Sequence, residues 1–242
     1  MSVLFHADDY GKSSSVNHAI ITAFEKKYIS RTSIMVNMPF CEEALQMSLK
    51  YDIFSNIGLH LNLTEGLPLT DEMRKNSLFC NDEGCFSGAF RRNKLNRIYL
   101  NTYDKECCIK EITAQMNLYV KCGFPLMHID SHHHIHNDLS LLPVIVGLAK
   151  ENGFKSMRIC RNLMSSHWGI KQCYKILMNK FISRYFDSTK YFGSYSDYNL
   201  YGFYYDDVEV MLHPDVMNSR LVDIIGGAEK YVDFELLKRI NL

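Results

Sequence analysis

Short apolar runs alternate with amphipathic helical stretches along most of the chain, and this alternation restricts the fold more than any other feature of the sequence. Val3-Leu4-Phe5 runs into Asp8-Asp9, after which Gly11 and Ser13-Ser14-Ser15 can cap a helix expected over about 16–27. Thr32 to Val36 is β-branched and apolar, Pro39 breaks it, and a helix follows over about 42–50 with Ala44, Leu45 and Leu49 on one face. Ile57, Leu59, Leu61 and Leu63 alternate with Gly58, His60, Asn62 and Thr64, so one face of this strand packs and the other presents polar groups. A helix over about 104–121 ends at Gly123 and Pro125, and a strand over 126–129 follows. Asn137 or Asp138 can cap the next helix, which runs through Leu142, Ile145 and Ala149 to Gly153. Further strands are expected at 157–159 and 208–212, with a helical stretch near 174–185. Such strand–helix repeats argue for an α/β fold, a parallel sheet covered by helices, and their number favours a closed or nearly closed barrel.

A chain of 242 residues suits one such barrel, and nothing divides it, so residues 1–242 read as a single domain. Two stretches depart from the repeat. The segment at about 67–101 has little periodicity yet carries Phe79, Phe86, Phe90, Arg91 and Arg92, and reads as a lid or binding loop. The segment at about 168–205, from Trp168 to Tyr205, is rich in aromatics, which suit a core or subunit interface and could also stack on sugar rings. Lys+Arg and Asp+Glu both total 27, so no basic surplus exists to bind nucleic acid. No run approaches the roughly 18 apolar residues of a membrane span. The first residues meet acid too early for a secretory signal, and no two of the eight cysteines form a Cys-x-x-Cys pair. A cytoplasmic protein with reduced thiols is expected.

Histidine carries the functional information: five of the ten lie between His128 and His136. With strand ends as placed above, Asp8, Asp9, His60, His132 and His213 all fall at C-terminal ends of strands, where barrels of this kind keep their active sites. One carboxylate and two imidazoles form a common set for a catalytic divalent ion, and Asp9, His60 and His132 would supply it. Three protein ligands leave positions for water and a substrate oxygen. Asp8 could then accept the proton of that water, provided the pleat is broken at the strand end so that both aspartates face the site. Plainer readings stand beside these: Asp-Asp before Gly is common turn chemistry, His60 alone would suit a barrel interior, and His213-Pro214 could simply end a strand. The zinc-protease motif is excluded because position 133 is His rather than Glu, and no phosphate-binding loop or nucleophile elbow is present.

Three ordered motifs carry a specific resemblance: His6-Ala7-Asp8-Asp9-Tyr10-Gly11, Ile57 to Gly66 (Ile-Gly-Leu-His-Leu-Asn-Leu-Thr-Glu-Gly), and His128-Ile129-Asp130-Ser131-His132-His133-His134-Ile135-His136. Together they resemble the YdjC/ChbG-like carbohydrate deacetylases, over a stretch from Leu4 to about Arg158. The resemblance implies an irregular (β/α) barrel of the glycoside hydrolase/deacetylase type and removal of acetyl groups from N-acetylated sugars such as chitooligosaccharides. It implies Asp8 as catalytic base, Asp9, His60 and His132 as ligands of one divalent metal ion, and His213 as a proton donor or transition-state contact. Ligand softness suits Zn, Ni or Co, whereas the resemblance implies Mg. The expected partner is an N-acetylated oligosaccharide; a membrane is not expected, and the exposed aromatics leave room for a homodimer. His6, Tyr10 and Asp215 depart from the family pattern of Asn, Phe and Gly. Alternatives are a metal-dependent phosphoesterase and a non-catalytic sugar-binding protein on the same scaffold.

Overall fold

The computed structural model describes residues 2–163 and 169–241. Its centre is a seven-stranded parallel sheet built from β1 (Val3–Tyr10), β2 (Arg31–Ile34), β3 (Ile57–Leu61), β4 (His128–Ser131), β5 (Ser156–Met157), β6 (Tyr191–Ser194) and β7 (Val208–Leu212), in the order β5-β4-β3-β2-β1-β7-β6. The helices α1 (Ser14–Glu25), α2 (Cys41–Lys50), α3 (Asp71–Arg74), α4 (Thr102–Lys121), α5 (Leu142–Glu151), α6 (Ile170–Ser183) and α7 (Tyr195–Tyr201) connect these strands. Ser13 caps α1 through Val16 N, as its sequence predicts, and Gly123 leaves α4 with φ at 82°. The helix after the histidine cluster begins later than expected, at Leu142 with Pro143 in its first turn and no side-chain cap. Asp138 does not cap it, because that carboxylate is held by Arg91 and Arg97 instead.

The sheet curls into a half-barrel. The segments flanking its edge strands meet through irregular backbone bonds: Met157 N of β5 donates to Asp187 O ahead of β6, and the amides of Asn162 and Leu163 beyond β5 donate to Phe192 O of β6. Phe5, Ala7, Ile57, Leu59, Ile129, Val208, Val210 and Leu212 are fully or almost fully buried between strands and helices. The alternate positions face the lumen. There the expectation of a polar face is met in an altered form: His6, Asp8, Ser33, His60, Asp130 and Glu209 are polar and also buried, because the lumen excludes water as the helices do.

Beyond β7 the chain forms a small antiparallel sheet that the sequence reading did not anticipate: β8 (Pro214–Met217), β9 (Arg220–Ile225) and β10 (Ala228–Lys230). Both hairpins close with two residues at positive φ, Asn218-Ser219 and Gly226-Gly227, the geometry that matches the strand twist. The chain ends in α8 (Phe234–Asn241).

Candidate metal centre

Regular pleating would send adjacent residues of β1 to opposite faces. Asp9 escapes this by taking φ of 71°, a left-handed conformation that Asp tolerates better than most residues, and the pairing of β1 with β2 shifts register between Ala7 and Tyr10. Asp8 and Asp9 therefore line the same cavity. Asp9 Oδ1 lies 3.2 Å from His60 Nε2 and 2.7 Å from His132 Nδ1, and all three residues are buried. His60 is the penultimate residue of β3, and His132 is the residue that follows β4.

Each imidazole is fixed at its other nitrogen. His60 Nδ1 lies 2.8 Å from Asp130 Oδ1 and 3.0 Å from Ser33 Oγ, while His132 Nε2 lies 3.2 Å from Glu65 Oε1. A carboxylate behind each ring is the arrangement that orients imidazole ligands toward an ion. It directs the remaining nitrogens at Asp9 Oδ1, a buried oxygen that has no aligned hydrogen bond among the described residues. The two imidazoles hold protons against Asp9 when no ion is bound, and a divalent cation would displace those protons and take the same three atoms. The donor set fits such an ion. Local electrostatics agree: burial opposes ionisation of Asp9, but His132 and His60 hold its carboxyl well below the usual range. Burial likewise disfavours charge on His60, yet the Asp130, Asp9 and Asp8 carboxylates raise it to about 10, so the cluster attracts positive charge.

Asp8 sits deeper. Arg158 Nη1 donates to its Oδ2 and Nη2 to its Oδ1, both at 2.8 Å. The same guanidinium, fully buried, reaches Asp130 Oδ2 at 2.9 Å and Glu209 Oε1 at 2.6 Å. Burial alone would favour the neutral acid, but Arg158 holds the Asp8 carboxyl below its ordinary value. His213 Nε2 lies 3.7 Å from Asp8 Oδ2, and its backbone is anchored by a 2.5 Å bond from its amide to Asp223 Oδ1.

The residues singled out in the sequence, Asp8, Asp9, His60, His132 and His213, all line one cavity of about 640 Å³. Sequence reasoning missed four that support them: Glu65, Asp130, Arg158 and Glu209. Signals existed, since Arg158 in Ser-Met-Arg-Ile and Glu209 in Val-Glu-Val are charges inside apolar strands, which a polar lumen explains. From the segment at 67–101, Arg91 reaches the cavity; it donates to the His133 carbonyl and lies 2.9 Å from Asp138. The rest of that segment packs, with Phe79 and Phe90 buried and their rings 4.4 Å apart. In the segment at 168–205, Phe192, Tyr195 and Tyr198 are buried, and none of its described aromatics lines the cavity. Trp168 lies outside the described residues.

A parallel half-barrel with a buried carboxylate–imidazole trio at the C-terminal ends of its strands has a donor set that could hold a metal ion beside Asp8. The model of the YdjC-like protein family matches residues 2–238, and the chain belongs to that family. It is 36% identical over 151 residues to a carbohydrate deacetylase of Vibrio cholerae serotype O1, a match that spans 62% of this chain and 56% of that relative. It is 28% identical to a carbohydrate deacetylase of Halalkalibacterium halodurans, over 100% of this chain and 97% of the relative. Among solved structures it resembles a protein from Enterococcus faecalis V583 provisionally described as a cellobiose-phosphate cleavage protein, with a TM-score of 0.69 and 21% identity over 90% of this chain and 82% of that one. This last likeness concerns the fold.

Proposed function

We propose that the protein is a metal-dependent hydrolase that removes acetyl groups from N-acetylated carbohydrates such as chitooligosaccharides. The observation that carries the reading is the convergence of Asp9, His60 and His132 in one cavity with the ionised carboxylate of Asp8. The names of the relatives supply the substrate class.

Asp9, His60 and His132 would hold one divalent ion, which supplies Lewis acidity to the acetyl carbonyl and to water. Zinc or a similar ion suits two imidazoles better than magnesium does. Asp8 accepts the proton of the attacking water, and the two bonds from Arg158 fix its orientation and keep it ionised. His213, on the same side of the cavity, delivers a proton to the departing sugar amine. Met211, Pro214, Ile224 and Ile225 form an apolar wall of this cavity. Eight free cysteines suit a reducing compartment, and we place the protein in the cytoplasm.

Acetate release from N-acetylglucosamine oligomers, assayed with added divalent ions beside a chelated control, tests the reading. Asp8→Asn is expected to keep the ion and lose on the order of 10²–10⁴-fold in rate; an unchanged rate in that variant removes Asp8 as the base. Turnover of phosphate esters without acetate release, or glycan affinity without turnover, would instead select one of the two alternatives.

A further inference from the structure

The lumen holds a second convergence of donors, one side-chain layer nearer the N-terminal ends of the strands. His6 on β1, His128 and Asp130 on β4, and Glu209 on β7 each offer one ligand atom, all within 4.8 Å of one another, and all four residues are buried. His6 has no exposed surface. Among the described residues neither of its ring nitrogens has an aligned hydrogen-bond partner, although Nδ1 lies 3.2 Å from Glu209 Oε1 and Nε2 lies 3.5 Å from Asp130 Oδ2. His128 uses Nδ1 against Ser156 Oγ at 2.9 Å, which leaves its Nε2 buried and unpartnered.

Geometry is consistent with a shared ion. Two imidazoles bound at ~2.0–2.1 Å to one tetrahedral centre have ring centres about 5 Å apart, and those of His6 and His128 are 5.5 Å apart. Gly58 makes room for this ring, since a Cβ there would fall 3.0 Å from His128 Cδ2 and from its carbonyl oxygen. Asp130 Oδ2 and Glu209 Oε1, the oxygens that face His6, also contact the buried guanidinium of Arg158, at 2.9 and 2.6 Å.

We propose that His6, His128, Asp130 and Glu209 hold a second divalent ion in a closed structural site, with zinc the ion that two imidazoles and two carboxylates favour. None of the four lines the cavity, so this ion does not meet substrate. It ties β4 to β1 and β7 across the lumen. Asp130 links the two sites, with Oδ1 on His60 and Oδ2 toward Arg158 and His6. The inference does not depend on the reaction proposed above.

The test strips the full chain with a chelator, reloads it with Zn²⁺, desalts it, and counts zinc per folded chain by elemental analysis. Two ions per chain are expected in the unaltered protein, one in His6→Asn, one in Asp9→Asn and none in the double variant. A single zinc in the unaltered protein, or an undiminished count in His6→Asn, overturns the proposal. Should His6→Asn fail to fold, Asp9→Asn loaded with Co²⁺ decides: the strong visible absorption of four-coordinate cobalt supports the second site, and its absence overturns it.

Discussion

At the scale of single residues, the groups that orient the imidazoles matter as much as the ligands. Glu65 stands 3.2 Å behind His132 and is itself held by Lys12 at 2.9 Å; the His132 ring beside it lowers its carboxyl to about 2. Glu65→Gln keeps the shape and removes the charge, and is expected to weaken metal affinity about 10–100-fold in a competition titration with a chelator. His136 behaves differently. Burial pushes it down to about 3, so it is neutral in the fold, with Nδ1 2.5 Å from Ser131 Oγ. Its unfolded value is about 6.5, so below that pH the unfolded chain binds a proton that the folded chain refuses. The stability this group supports is fully present above pH ~6.5 and falls by about 1.4 kcal/mol per pH unit toward pH ~3. Urea unfolding between pH 4 and 7 is therefore expected to show a shallower acid limb in His136→Gln, by roughly one proton. At this scale the sequence was informative where residue type is rare, as in the histidine cluster. It was silent on pairing, because which carboxylate stands behind His60 depends on a residue 70 positions away.

Among elements, the strand–helix repeat was legible because each unit carries its own period, cap and stop, from Ser13 to Gly123. The β8–β9–β10 sheet was not read, although Asn218-Ser219 after Val216-Met217, and Gly226-Gly227 between Ile225 and Ala228, are local hairpin signals. Its strands are short and partly exposed, and their alternation is weak. This sheet brings Pro214, Ile224, Ile225, Gly226 and Gly227 to the cavity. Gly226 has φ of 61°, where a β-branched residue costs about 1–2 kcal/mol. Gly226→Val is expected to lower stability by that amount in chemical unfolding and, on the proposed reaction, to raise KM more than it lowers kcat, because Gly226 lines the cavity away from Asp9, His60 and His132.

For the whole molecule, the lumen sets the terms of stability. Barrels of this kind normally fill their interior with layers of branched aliphatics; here Arg158 and a group of buried carboxylates and imidazoles occupy that space. Such a centre is fully compensated when cations are present, and removing one partner from a buried pair typically costs about 3–5 kcal/mol. Chelation is accordingly expected to lower the thermal midpoint, and restored zinc at about 100 times its Kd to return about 2.7 kcal/mol. Calorimetry with and without chelator measures this, and equal midpoints would contradict an ion-dependent core.

The left-handed turn at Asp9 sets a limit on how this site can change over time. The proposed proton acceptor, Asp8, and the proposed ion holder, Asp9, are consecutive residues, so a single peptide unit fixes their separation. A slide or tilt of the first strand carries both together. Divergence toward other substrates must therefore come from the loops and the hairpin around the rim, where residues can drift without disturbing that fixed spacing.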